Sequence, residues 1–197
     1  MKRLIVLGST GMLGSEIVRV ANESHVPVVE VSRLRGILFD AEKKTFSSLA
    51  NELALSDNDW LVNCIGWIPQ KATGETRKDE ELARALNTLL PAQISDSKKQ
   101  FGFNWIQIGT DCVFSGATGG YSELSPFDAQ DLYGTSKIEG EKMSEGDMRI
   151  RCSVIGRYKQ SSSGLFEWFR SQGNSDTVNG FTNHIWNGVS TTAFAKL

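Results

Sequence analysis

Arg3-Leu4-Ile5-Val6-Leu7, followed without a break by Gly8-Ser9-Thr10-Gly11-Met12-Leu13-Gly14, is the stretch on which the reading of this chain turns. A short apolar run leads into three glycines spaced G-x-x-G-x-x-G, and behind them Leu13, Ile17, Val20 and Ala21 recur at helical intervals. Strand, glycine turn and helix in that order suit a dinucleotide, because a helix start presents unpaired N–H groups and a partial positive charge to phosphate. Gly8 supplies the sharp turn, Gly11 lets the backbone approach a pyrophosphate, and Gly14 lets helix and strand pack closely. Thr10, Met12 and Leu13 join them as expected cofactor contacts. A glycine turn with no ligand is the alternative, but the placement between strand and helix is the context a dinucleotide fingerprint requires.

Working outward, apolar runs rich in Val and Ile at 27–31, 37–39, 60–65, 104–108 and 149–154 read as further strands, with helical patterns between them. Alternating strand and helix predicts an α/β domain with a doubly wound parallel sheet of the Rossmann type, its ligands beyond the carboxyl ends of the strands. After Val154 the pattern loosens into 156–164, with three consecutive serines, then an aromatic-rich helix at 165–170 and a loop ending at 184–188. Residues 1–160 are therefore read as the nucleotide-binding domain and 161–197 as the start of a substrate-binding lobe. Ser190 to Thr192 offer caps to a final helix of less than two turns, too short to stand alone, so the lobe is expected to be incomplete and the chain part of a longer one.

Composition narrows the function classes. The 197 residues are 40% hydrophobic and 22% charged with a net charge of -2, which gives no basic surplus for nucleic acid or an anionic membrane. No run approaches the roughly 20 apolar residues of a membrane span, and the apolar run at the start is too short for a secretory signal, so a cytoplasmic protein is expected. Cys64, Cys112 and Cys152 are three and lack C-x-x-C spacing, so neither a disulfide framework nor a metal site is expected.

A second constellation is Tyr133-Gly-Thr-Ser-Lys137, opening a helix predicted over 133–145. Residues four apart share a helix face, so a phenol and an ammonium become neighbours, and the cation is expected to favour phenolate and ease proton exchange. Tyr133 is the candidate general acid and Lys137 its tuning and positioning partner. A lone Y-x-x-x-K is weak, but the strand at 104–108 ends in Gly109-Thr110-Asp111-Cys112-Val113-Phe114, placing a hydroxyl where a substrate carbonyl would lie. Thr110 is the candidate carbonyl-orienting donor. Asp111 is expected mainly to cap a turn, and His184 mainly to make structural hydrogen bonds.

The glycine spacing resembles the extended short-chain dehydrogenases/reductases. The T-D-x-V-F-x-G run from Thr110, the Tyr121-Ser-Glu123 segment with Pro126, and the Y-G-T-S-K-x-x-G-E run from Tyr133 to Glu141 resemble dTDP-4-dehydrorhamnose reductases and their sugar-nucleotide-binding relatives. The resemblance runs from residue 1 to about 160. It implies that Asp40 and Ala41 meet adenine, that Cys64, Ile65 and Gly66 line the middle of the cofactor, that Asn87 contacts it, and that Tyr133 and Lys137 hold the nicotinamide ribose. In relatives that prefer NAD an acidic residue closes the second strand. Here Ser32 stands there with Arg33 beside it, which suits a 2′-phosphate, so NADP(H) is expected, with NAD(H) the alternative. Glu30, the rival acid, should point elsewhere by strand alternation.

Cys112 stands where that family has an aromatic residue, and Trp67-Ile-Pro69 replaces a small-and-hydroxyl stretch. Trp67, Thr110, Asp111 and Cys112 are thus the expected substrate contacts. The resemblance implies NADPH-dependent reduction of the keto group of a nucleoside-diphosphate 4-keto-6-deoxysugar, with a homodimer left open. A non-catalytic NADP-binding regulatory subunit and a nucleotide-sugar epimerase on the same scaffold are the alternatives.

Overall fold

The computed structural model describes residues 3–144, 147–158, 164–174 and 176–197. Six parallel strands, β1 (Arg3–Leu7), β2 (Val28–Ser32), β3 (Ile37–Leu38), β4 (Asp59–Asn63), β5 (Asn104–Ile108) and β6 (Met148–Ile150), form one sheet in the order β3-β2-β1-β4-β5-β6. This is the doubly wound α/β fold expected from the sequence. The chain runs outward from β1 to β3 and returns to pair β4 with the other edge of β1, Leu4 lying opposite both Val28 and Trp60. The strand order reverses there, and at such a point the crevice beyond the carboxyl ends is open to a ligand. Gly8 and Cys64 stand at those two ends.

Strand alternation divides the core in two. Ile5, Leu7, Val31, Leu61 and Trp105 pack with α2 (Phe46–Glu52) and α4 (Leu90–Phe101), around Phe46, Leu49 and Ile94. Val6 and Val62 pack on the opposite side with Leu13, Ile17 and Val18 of α1 (Met12–Glu23) and Phe194 of α7 (Thr191–Ala195). Each fully buried Leu or Ile contributes about 1.5–3 kcal/mol relative to exposure.

The structure departs from the sequence reading in three places. β4 stops at Asn63 rather than 65, because the Asn63 carboxamide oxygen accepts the Ile65 N–H at 3.0 Å and turns the chain out of the sheet. The run at 149–154 splits: β6 ends at Ile150, and β7 (Val154–Ile155) pairs instead with β8 (Val189–Ser190) in a separate parallel ribbon. The final helix is held by tertiary contacts rather than left unstable. The Ser190 hydroxyl caps it by accepting the Ala193 N–H at 3.1 Å, Phe194 is buried, and the Thr192 hydroxyl lies 2.5 Å from Glu16 of α1. The division at 160/161, the serines 161–163 and the end of the predicted helix at Glu145 lie outside the described residues, and α5 (Leu132–Met143) is described to Met143.

One helical stretch bears directly on the site. α3 (Thr76–Ala83) continues through a wider π-helical segment, Arg84–Leu89, into α4. Inside it the Leu90 N–H donates to Ala85, five residues back. Pro91 supplies the cause: it has no N–H for the Asn87 carbonyl, and in a regular helix its ring would press against that oxygen. The freed carbonyl meets Gly140 of α5 so closely that a Cβ there would lie 2.0 Å from it. Among the described residues no helix is long and apolar enough to cross a membrane.

Candidate active site

Gly8 carries φ +75°, and its N–H donates to the Val31 carbonyl at 2.9 Å, so the chain leaves β1 in a conformation that favours glycine. A Cβ on Gly14 would stand 2.2 Å from the Gly8 carbonyl oxygen, which fixes how closely α1 can seat on the turn. Gly11 begins α1 with no side-chain cap and no acidic residue in the first turn, the arrangement that suits an anion at the helix start. Gly8, Thr10 and Gly11 form one wall of a cavity of about 420 Å³.

Ser32 and Arg33 after β2, Asp40 and Ala41 after β3, and Cys64, Ile65, Gly66 and Trp67 after β4 form its other walls. Three glycine-turn residues expected to touch cofactor do not line it. Met12 opens α1, Leu13 packs into the core beneath, and Gly14 backs onto Gly8. Asn87 is also outside the lining. Its amide oxygen accepts the Trp67 N–H at 3.0 Å, and its amide nitrogen donates to the Trp67 carbonyl at 3.1 Å and the Ser136 hydroxyl at 3.0 Å. The whole carboxamide is engaged in clamping the loop that carries Trp67, which is a positioning role rather than a cofactor contact.

The end of β2 is more tied down than the sequence suggested. The Ser32 hydroxyl accepts the Leu34 and Arg35 N–H groups at 3.1 and 3.0 Å and donates to the Arg35 carbonyl at 2.8 Å, closing a turn. Arg33 is exposed on the cavity rim, 3.5 Å from the Glu42 carboxylate. Glu30 is turned to Arg35 at 3.0 Å and does not line the cavity. Sequence reasoning missed Lys71, Glu42, Leu82, Leu86 and Tyr158, all of which line the cavity. Lys71 ends a short turn, Pro69–Lys71, and its ammonium stands 6.0 Å from the Tyr158 ring centroid. No local motif marks these positions, because the chain brings them together only in three dimensions.

Thr110, Asp111, Cys112, Tyr133 and Lys137 do not line this cavity and gather beyond Gly66, where Asp131 caps α5 by accepting the Gly134 N–H at 3.0 Å. A Cβ on Gly134 would lie 2.7 Å from the Cys112 carbonyl, so only glycine lets α5 press against the turn after β5. That contact brings Tyr133 to Thr110. Lys137 follows on the same helix face, its Nζ 6.0 Å from the Tyr133 ring centroid, and a Cβ on Gly66 would lie 3.2 Å from that Nζ. Gly66 is thus the wall shared by the cavity and the Tyr133–Lys137 pair.

The electrostatics correct one expectation. Burial pushes the Tyr133 phenol up to about 12, with the Thr110 hydroxyl pulling weakly the other way, so the phenol is the stable form rather than phenolate. Burial brings the Lys137 ammonium down to about 8, opposed by the negative charge of Glu141. Desolvation leads both shifts, since it disfavours the charged form of each group, raising a phenol and lowering an ammonium. Burial likewise pushes the Cys64 thiol up to about 12.

The capping role expected of Asp111 falls to Thr110, whose hydroxyl oxygen accepts the Cys112 N–H at 3.2 Å and lies 3.4 Å from Asp111 Oδ1. Cys112 is exposed, Trp67 is buried with its indole N–H unpartnered, and His184 is exposed. Behind Lys137, the buried Glu141 pairs with Arg149 at 3.2 Å and Arg151 at 2.6 Å, fastening α5 to β6 and the chain beyond. Among the described residues no group of His, Cys, Asp and Glu is placed to hold a metal. A dinucleotide suits the cavity: its turn has no room for a side chain at Gly8, where a Cβ would meet the Cys64 backbone at 3.2 Å, and the α1 start is uncapped.

A family model described as RmlD substrate binding domain matches residues 1–157. A dTDP-4-dehydrorhamnose reductase of Streptomyces griseus is 28% identical over 141 residues, covering 71% of this chain and 44% of its own length. The chain spans about half the length of the curated relatives it matches. Among solved structures, a hypothetical dTDP-4-dehydrorhamnose reductase from Sulfolobus tokodaii superposes with a TM-score of 0.80 at 23% identity, over 98% of this chain and 70% of that one. A dTDP-4-dehydrorhamnose reductase from Bacillus anthracis, in complex with NADP, superposes at 0.65 with 20% identity, over 80% and 55%. At these identities the solved structures speak for the fold.

Proposed function

This chain belongs to the RmlD substrate binding domain family, and from that premise we propose that it binds NADP(H) and serves the reduction of a keto group on a nucleoside-diphosphate 4-keto-6-deoxysugar. The observation that carries the proposal is the junction at Gly66, where the glycine-turned cavity meets Lys137 and, on the same helix face, Tyr133. Gly8, Thr10 and Gly11 hold the dinucleotide's phosphates, Asp40 and Ala41 flank its adenine, and Cys64 to Gly66 line its middle. The bound nicotinamide supplies the hydride.

The chain's own groups supply the rest. Tyr133 is kept as a phenol by its burial, which is the form a reduction needs, and it passes its proton to the carbonyl oxygen as negative charge develops there. Thr110 orients that oxygen with its hydroxyl, held in place by the Cys112 N–H. Lys137 steadies the ribose and offers a positive charge that lowers the cost of the transient phenolate. Trp67, Asp111 and Cys112 face the sugar side, where the departures from the family pattern bear on which sugar is taken.

Calorimetric titration with NADPH, followed by NADPH oxidation across a panel of nucleoside-diphosphate 4-keto-6-deoxysugars, tests the proposal. Binding followed by oxidation with at least one sugar is expected. Binding without oxidation by any of them, in this chain and in the longer natural polypeptide alike, overturns the reductase reading in favour of a non-catalytic binder, and absence of binding overturns the cofactor reading itself.

A further inference from the structure

Two cations from separate parts of the chain meet at the rim of the cavity. Arg33 comes from the turn after β2, and Lys71 from the turn after β4, 38 positions later in sequence. Both line the same cavity as Gly8 and Gly11. Among the described residues Lys71 has no carboxylate partner, and its neighbour there is the Tyr158 ring at 6.0 Å. A ring face attracts a cation but neutralises no charge. Lys71 is exposed at the rim, yet partial desolvation against the cavity wall and, in second place, the charge of Arg33 bring its ammonium below its ordinary range, which places the two cations within electrostatic reach of each other.

Two like charges on one cavity wall attract an anion to the space they line. Arg33 has a weak counterion in Glu42 at 3.5 Å, also on the cavity wall, so an arriving phosphate competes with that carboxylate for the guanidinium. Among the described residues Lys71 has no such competitor. We propose that Lys71 and Arg33 together form the subsite for the phosphate that distinguishes NADPH from NADH, with Lys71 the principal charge and Arg33 its partner. The inference rests on the cofactor reading above and adds to it a selecting residue from a second, distant turn. The chemistry suits the geometry: an ammonium is a compact point charge that meets a phosphate from one side, while the guanidinium offers paired N–H groups from the other.

The test is paired calorimetric titration of NADPH and NADH into the parent chain and into Lys71→Gln and Lys71→Arg, with thermal unfolding recorded on each to confirm the fold. In Lys71→Gln the NADPH dissociation constant should rise about tenfold, the scale of one lost charge-assisted hydrogen bond, while that of NADH stays within about twofold. Lys71→Arg should keep the preference for NADPH. Equal losses for both dinucleotides would assign Lys71 to the shared pyrophosphate and overturn the subsite, and no loss for either overturns it as well. A parent chain that binds neither dinucleotide overturns the cofactor reading together with the subsite, whereas a parent that binds NADPH beside an indifferent Lys71→Gln overturns the Lys71 assignment alone.

Discussion

At the nucleotide end of the cleft the walls are largely backbone: Gly8 in a left-handed turn, Gly11 at an uncapped helix start, and a rim of exposed charges in Arg33, Glu42 and Lys71. At the Tyr133 end they are side chains locked to one another, with Asp131 capping α5, Thr110 capping the turn beside it, Asn87 clamping Trp67, and Glu141 fastened to two arginines. The first construction leaves charges hydrated and free to exchange partners, and the second removes water and holds titratable groups in one form. A surface that only has to receive phosphate can be soft, whereas groups that move a proton must be fixed to fractions of an ångström.

The contrast is sharpest if the proton donor itself is removed. Tyr133→Phe keeps the ring and deletes the hydroxyl, so turnover should fall by about 10²–10⁴-fold while NADPH affinity changes little, as read by steady-state kinetics beside calorimetry. A variant with parental turnover would mean that the locked end is only structural. Next in size is Glu141→Ala, which strands Arg149 and Arg151 where their side chains are 18% exposed. Breaking a buried pair costs about 3–5 kcal/mol, and denaturant unfolding should show a loss of that order, with Glu141→Gln losing less because it keeps an acceptor. A loss below about 1 kcal/mol would place this network with ordinary surface pairs.

The smallest effect is a pH dependence. Lys137 titrates near 8 in the folded chain, below its ordinary value of 10.5, so between those limits the unfolded state binds more protons and stability rises with pH. Tyr133 titrates near 12, above its ordinary value of 10, so between pH 10 and 12 the folded state keeps a proton that the unfolded state has lost, and stability falls. Unfolding free energies measured from pH 7.5 to 11 should therefore climb towards about 10 and then turn down, and Lys137→Met should remove the climb. A parental curve that fell steadily from pH 8 would contradict the burial of Lys137.

The sequence disclosed the nucleotide end more fully than the locked one, for reasons visible in particular residues. Gly8 and Gly14 are readable because a strand-to-helix turn leaves no space for side chains, and that constraint is local. Tyr133 and Lys137 are readable because helical spacing sets them on one face. The phenol's upward shift was not readable, since spacing shows the neighbouring charge but not the burial that outweighs it. Nor was the commitment of Asn87 to Trp67, 20 residues away, or the meeting of Lys71 with Tyr158 across 87 positions, because both depend on how elements pack rather than on any local pattern. The run at 149–154 failed for a related reason: apolar character promises burial, but not which ribbon the residues will join.

The widened turn at Arg84–Leu89 sets a rule of phase. Asn87 reaches across to the Trp67 loop and to the Ser136 hydroxyl while its immediate neighbour Thr88 donates to the Ser136 carbonyl of α5 at 2.9 Å, so two consecutive residues tie this turn to the Trp67 loop and to α5. Each residue added to or taken from a regular helix rotates everything beyond it by about 100°. Loss of one residue within this turn would swing Asn87 and Thr88 apart from their partners and reach both ends of the cleft together. The same loss among the exposed residues 116–120 would be absorbed locally. Over Arg84–Leu89, then, the length of the chain is itself part of the site, a constraint that no single side chain there reveals.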